Sequence, residues 1–84
     1  MDRDIQHVIN LFPDREIRIR QLWPGDEDFR ELAQDYTLCL ETLARLSVEA
    51  AAPTQIAEYQ SLRRRLELEI EIKTQEIQPR ETDL

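Results

Sequence analysis

The chain has 84 residues, of which 35% are charged and only 6% aromatic, and it contains a single glycine. This length leaves room for one domain, and this composition disfavours turn-rich β folds, so helix is the expected secondary structure. A net charge of −7 repels phosphate backbones and acidic membrane surfaces, which excludes general nucleic-acid affinity unless a basic face is strongly segregated.

The first apolar stripe predicts a short helix over residues 3–12. Pro13 stops this helix or redirects the chain into a second short helix over 13–23, because a proline at the first helical position costs no hydrogen bond. The apolar positions of the first helix follow the i, i+3, i+4, i+7 spacing of one helix face: Ile5, Val8, Ile9 and Phe12.

Two segments, residues 16–20 and 66–73, alternate strictly between apolar and polar residues, as half-buried strands do. However, Leu, Glu and Arg are good helix formers, and no hairpin turn flanks either segment. We therefore predict helix for both. Supporting this choice, oppositely charged residues occur at helical spacing: Asp14 with Arg18, Glu16 with Arg20, Arg63 with Glu67, Arg65 with Glu69, and Glu69 with Lys73.

The clearest break in the chain, at residues 23–26, precedes the first of two long helices, which is predicted over 26–48. Asp28, followed three residues later by Glu31, has the form of a capping box at the start of this helix. A helix of this length reaches about 35 Å.

The second long helix is predicted over 54–77. Thr54 is placed to cap its start, and Pro79 cannot continue it. Residues 78–84 are polar and are expected to form a disordered tail.

Heptad-spaced apolar residues mark one face of each long helix. This spacing predicts an all-α fold, in which an antiparallel, coiled-coil-like two-helix hairpin packs against one or two short N-terminal helices. The stripe comprises Phe29, Leu32, Tyr36, Cys39, Leu43 and Leu46 on the first long helix, and Ile56, Tyr59, Leu66, Ile70 and Ile77 on the second.

The last helix carries more apolar residues than one seam requires. Leu68 and Ile72 lie about 200° around the axis from the heptad stripe and form a second apolar edge. Either the first helices of the same chain or a second subunit would cover this edge, and we favour a homodimer. The candidate residues for contact with a partner are Trp23, Leu38, Leu40, Leu68 and Ile72.

The densest basic patch is Arg63, Arg64 and Arg65. It offers an alternative function, a nucleic-acid-associated protein, if arginines of the first helices extend the patch into one positive surface. The competing interpretation is that these arginines pair with neighbouring carboxylates at helical spacing, and we favour it.

No residue pattern predicts a catalytic, cofactor or metal site. His7 is the only histidine, so a transition-metal site lacks ligands, and Cys39 lies within the heptad stripe, where a thiol fills the core. The sequence therefore predicts a protein that is not an enzyme and binds no cofactor. The acidic start of the chain does not resemble a signal peptide, and no segment reaches membrane-spanning length, so we expect a cytoplasmic protein of bacterial type without membrane contact.

A series of motifs carries a family resemblance: Leu11-Phe12-Pro13, Ile17, Leu22, Asp28-Phe29, Leu32, Tyr36, Leu40 and the segment from Tyr59 to Leu66. Their order resembles the YdcH-like family of small bacterial proteins over roughly residues 8–75. The resemblance implies a compact antiparallel helical hairpin in a family of uncharacterised function, which supplies no catalytic residues. From the residues themselves, we expect a self-associating protein–protein interaction module that acts as an adaptor or regulator.

Overall fold

A computed structural model describes residues 3–75, and within this range it contains helices and no strands, so the prediction of an all-α fold is confirmed. The predicted tail, 78–84, and the last residues of the predicted helix 54–77 lie outside the described residues. The elements in chain order are α1 (Arg3–Leu11), a 3₁₀ turn (Pro13–Arg15), α2 (Glu16–Leu22), a second 3₁₀ turn (Trp23–Gly25), α3 (Glu27–Val48) and α4 (Pro53–Thr74).

The region predicted as one short helix, 13–23, is divided into a 3₁₀ turn, α2 and the start of a second 3₁₀ turn. Each 3₁₀ turn contains a proline in its first two positions, where the missing N–H is tolerated. The alternating segment 16–20 lies in α2 and is helical, as predicted. Glu16 and Arg20 form the predicted ion pair across one helical turn at 2.8 Å.

α3 begins two residues earlier than the predicted capping box implies. Asp26 is the N-cap, and its Oδ1 accepts a hydrogen bond from the backbone N–H of Phe29 at 3.0 Å. The prediction that Asp28 caps this helix is wrong, because an N-cap needs extended backbone and Asp28 already lies within the helix. Asp26 has that conformation, with φ −125° and ψ 93°.

The predicted cap of the second long helix is also wrong. Ala52 is the N-cap residue and makes no side-chain capping bond, and Pro53 occupies the first helical position. Thr54 therefore lies inside the helix, where its backbone is not in the extended cap conformation.

The end of α3 is closed by a left-handed residue. Ala50 has φ 54°, its N–H donates to Ser47 O at 3.4 Å, and the Ala51 N–H donates to Leu46 O at 3.0 Å. This pair of hydrogen bonds is the Schellman motif, which reverses the chain between α3 and α4.

α3 and α4 lie side by side and run in opposite directions. Tyr36 Oη donates to Glu67 Oε2 at 2.8 Å, and Cys39 Sγ donates to the backbone oxygen of Tyr59 at 3.4 Å. A step from residue 36 to residue 39 along α3 therefore corresponds to a step from residue 67 back to residue 59 along α4, as expected for antiparallel helices. The segment 66–73, which alternates in sequence, lies within α4 and is helical, as predicted.

The N-terminal elements cover one side of this pair. His7 of α1 lies 2.9 Å from Thr37 of α3, measured from Nδ1 to Oγ1, and Arg15 Nη1 donates to Thr74 Oγ1 at the end of α4. All four helices contribute to a single cluster of buried side chains: Val8, Ile9, Ile19, Phe29, Ala33, Tyr36, Cys39, Leu66 and Ile70.

Candidate interaction surface

The side of α3 and α4 opposite the N-terminal elements is open. Asp35 precedes Thr37 by two residues, and Ile72 precedes Thr74 by two. Each therefore lies about 160° around its helix from a residue that contacts the N-terminal elements. The seam between the two helices on this open side forms a shallow groove, which we call the outer groove.

The outer groove contains two depressions, which lie toward opposite ends of the seam. The first has a volume of about 290 Å³ and is lined by Asp35, Leu38, Cys39, Thr42, Tyr59, Leu62 and Leu66. The second has a volume of about 310 Å³ and is lined by Asp28, Leu32, Glu69, Ile72 and Lys73.

Three of the five predicted contact residues are exposed apolar side chains. Leu38, Leu68 and Ile72 expose 54%, 55% and 59% of their surfaces. Leu38 and Ile72 line the outer groove, and Leu68 lies one turn before Ile72 on α4. Exposed side chains of this size on neighbouring positions are typical of a surface that contacts another molecule.

The other two predicted contact residues pack against the core. Leu40 and Trp23 are half-buried and lie against the buried cluster. The ring of Trp23 meets the ring of Phe29 edge to face, with the centroids 5.7 Å apart. Trp23 thus covers the end of the core formed by the start of α3.

The basic patch of α4 is only partly exposed. Arg63 is half-buried, and its Nε lies 3.7 Å from Glu67 Oε2, which is the predicted ion pair. Arg64 and Arg65 are exposed. Of the four arginines in the N-terminal elements, three have contacts of their own: Arg3 pairs with Glu41 at 3.0 Å, Arg20 pairs with Glu16, and Arg15 donates to Glu71 O and Thr74 Oγ1. The fourth is Arg18, whose buried Nε has no hydrogen-bond partner among residues 3–75.

Cys39 and Tyr36 are buried where the two long helices meet. Burial raises the pKa of the Cys39 thiol, so the nucleophilic thiolate is disfavoured at neutral pH. Burial, together with the hydrogen bond to Glu67, also raises the pKa of Tyr36. Both side chains therefore remain neutral and serve as packing and hydrogen-bonding groups.

His7 is a structural contact between helices. It is half-buried, and its hydrogen bond to the buried Thr37 joins α1 to α3. Within the part of the chain that the structure describes, His, Cys, Asp and Glu side chains form no group of three that could hold a metal ion.

Sequence reasoning missed the polar edge of the outer groove on α3. Asp28, Asp35 and Thr42 all line the groove, and they are spaced seven residues apart. Their positions are adjacent to the heptad stripe, so a search for polar residues with the same period would have identified them.

Comparison of the chain with models of protein families, with curated proteins and with solved structures finds no match. Of the helices between residues 3 and 75, none combines the length and the apolar character required to cross a bilayer.

Proposed function

We propose that this protein is a non-enzymatic protein–protein interaction module, a small helical hairpin that self-associates and acts as an adaptor or regulator in the bacterial cytoplasm. The exposed Leu38 and Ile72 on the outer groove carry the proposal. Both lie beside a seam that is already apolar, so an approaching helix would extend an existing core rather than create a new one. The YdcH-like resemblance agrees with a hairpin and adds no activity.

Association would bury side chains that are costly to leave in water. Full burial of a leucine or isoleucine side chain contributes roughly 1.5–3 kcal/mol. Leu38, Leu68 and Ile72 are each more than half exposed, so a partner that covers them gains a large part of this free energy. The cost of association consumes several kcal/mol, which is why the three side chains have to act together.

Sedimentation velocity over a range of concentrations tests self-association. We expect a concentration-dependent dimer that dissociates at least about tenfold more readily in Leu38→Glu and Ile72→Glu variants, because each places a charge in the apolar contact. Ile17→Glu is the matched control, since Ile17 is 76% exposed but lies on α2, away from the outer groove. A wild-type protein that stays monomeric at every concentration would contradict self-association.

The competing proposal is a nucleic-acid-associated protein that uses Arg63, Arg64 and Arg65. It would draw on the exposure of Arg64 and Arg65. Duplex and single-stranded probes titrated at low salt test it, because phosphate contacts weaken as salt rises. If this proposal is correct, replacement of the three arginines by alanine abolishes binding; if no probe binds at low salt, it is wrong.

A further inference from the structure

We propose that the occupant of the outer groove is a second copy of this chain, placed so that α3 of each copy lies along α4 of the other and Asp35 meets Arg65 across the interface. This inference rests on the self-association proposed above. It adds the surface that is used, the pairing of helices and a specific contact.

The two edges of the outer groove carry different charges. The edge formed by α3 contains Asp28 and Asp35 and no basic residue. The edge formed by α4 contains Lys73 and Glu69. Arg65 belongs to the same edge, because it lies one turn before Glu69 and is exposed. An acidic edge therefore lies opposite a mixed edge, on which Lys73 is already paired with Asp26 and Arg65 takes part in no ion pair formed between residues 3 and 75.

Asp35 and Arg65 lie at nearly the same height along the helix pair. Tyr36 contacts Glu67 directly, Asp35 is one residue before Tyr36, and Arg65 is two residues before Glu67. Because the helices are antiparallel, these two displacements point in opposite directions, so the heights of Asp35 and Arg65 differ by the rise of about three residues. This difference is less than one helical turn of about 5.4 Å.

In this dimer the two-fold axis is parallel to the helices and passes above the outer groove. Rotation about this axis leaves the height of every residue unchanged and places α3 of one copy over α4 of the other. Asp35 then faces Arg65 of the second copy, and the contact occurs twice by symmetry. Leu38 and Leu62, which both line the groove, are also within one turn of the same height. They meet in the same arrangement, so the apolar contact and the ion pairs are satisfied together.

The other two-fold arrangement is disfavoured by charge. An axis perpendicular to the helices would place α3 on α3 and α4 on α4. The acidic edge with Asp28 and Asp35 would then face a copy of itself, and juxtaposed like charges weaken an interface. The distribution of charge between the two edges thus selects the arrangement that exchanges the helices.

Within one chain, Asp35 and Arg65 do not pair with each other. Both are exposed, and neither takes part in any ion pair formed between residues 3 and 75. They are available for contact with another molecule.

The test exchanges the charges in two separate chains. Full-length Asp35→Arg and Arg65→Asp variants are prepared, one with isotopic labelling, and are studied alone and as an equimolar mixture by sedimentation and native mass spectrometry. Alone, each variant places two like-charged contacts in its homodimer, so we expect dimerisation at least about tenfold weaker than in wild type. In the mixture both contacts become attractive again, so the mixed dimer is expected to form with nearly wild-type affinity.

Asp14→Arg and Arg64→Asp are the matched controls, because each makes the same change in net charge at an exposed position outside the outer groove. Both are expected to dimerise like wild type, and circular dichroism checks that every variant is folded. If each charge variant alone dimerises as strongly as wild type, or if the mixture does not regain nearly wild-type affinity, this pairing is wrong, although self-association still holds. A monomeric wild type, with the groove covered by residues 76–84 or by an unrelated protein, would overturn both.

Discussion

The carboxylate of Asp26 is bonded to Lys73 and at the same time caps α3. Its Oδ2 accepts a hydrogen bond from Lys73 Nζ at 2.8 Å, while Oδ1 accepts the backbone N–H of Phe29 at 3.0 Å. One side chain therefore closes the start of α3 and attaches it to the last turn of α4, at the end of the pair away from the connecting loop.

Two substitutions of Asp26 separate these roles. We expect Asp26→Ala to lower the free energy of unfolding by about 1–2 kcal/mol, because it removes both the N-cap and a partly exposed ion pair. Asp26→Asn keeps an oxygen for the Phe29 N–H and loses only the ion pair, so the expected loss is below about 1 kcal/mol. Urea denaturation followed by circular dichroism measures both, and equal losses would show that the cap contributes nothing.

Acid is expected to weaken the same contact. The hydrogen bond from Lys73, and secondarily that from the Phe29 N–H, lowers the pKa of Asp26 below its usual value of 3.8. Because this pKa is lower in the folded chain than in the unfolded chain, the carboxylate contributes fully above about pH 4 and loses its contribution as the pH falls through the folded value.

Denaturation of wild type and Asp26→Asn at a series of pH values measures this effect. The difference in unfolding free energy between the two proteins should be largest near neutral pH and should shrink toward pH 2. A difference that stays constant over that range would contradict the role of the Asp26 charge. Other carboxylates titrate in both proteins, so comparing the two removes their contribution.

Two isoleucines two residues apart on α4 are expected to respond very differently to truncation. Ile70 is fully buried, so Ile70→Ala should cost about 2–5 kcal/mol through lost burial and the remaining cavity. Ile72→Ala should change the stability of the monomer by less than about 0.5 kcal/mol, because this side chain is exposed. Thermal unfolding at a concentration too low for association is the measurement, and similar losses would mean that Ile72 is covered within the monomer.

The left-handed residue after α3 offers a stabilising change. Ala50 has φ 54°, a conformation that costs a residue with a Cβ about 1–2 kcal/mol and costs glycine little. Unfolded glycine has more conformational entropy than unfolded alanine, which offsets about 0.4–1 kcal/mol of this gain, so Ala50→Gly should raise the unfolding free energy by up to about 1.5 kcal/mol.

Ala51→Gly provides the comparison for this substitution. Ala51 does not have a positive φ, so alanine is not strained there, and glycine adds unfolded-state entropy and should destabilise by about 0.4–1 kcal/mol. In thermal denaturation, a gain in stability for Ala50→Gly and a loss of stability for the comparison variant would support strain at Ala50. A loss of stability in both variants would contradict it.

The all-α class could be predicted because local charge spacing distinguishes a helix from a strand. In the alternating segment 16–20, the Glu16 to Arg20 pair exists only if the backbone is helical, and the structure contains it. Helix ends were harder to predict. Asp28 and Thr54 have the right chemistry for caps, but Asp26 and Ala52 have the extended backbone, and that conformation depends on the turn before each helix.

Contacts between distant segments could not be predicted from local spacing. Lys73 was expected to pair with Glu69 on its own helix but pairs with Asp26, and Glu41 pairs with Arg3 of α1. Trp23 is a large apolar residue at the start of a break in the pattern, and only its edge-to-face contact with Phe29 shows that it covers the core. Such contacts depend on where α1 and the 3₁₀ turns lie, and no repeat in the sequence encodes these positions.

The position of the Schellman turn has a consequence for the order in which the chain folds. Closing that turn brings together residues only a few positions apart, so α3 and α4 can nucleate there at low entropic cost. The contacts at the other end span 47 residues for Asp26 with Lys73 and 59 for Arg15 with Thr74. We expect these to form after the transition state, so that weakening them accelerates unfolding and leaves the refolding rate nearly unchanged.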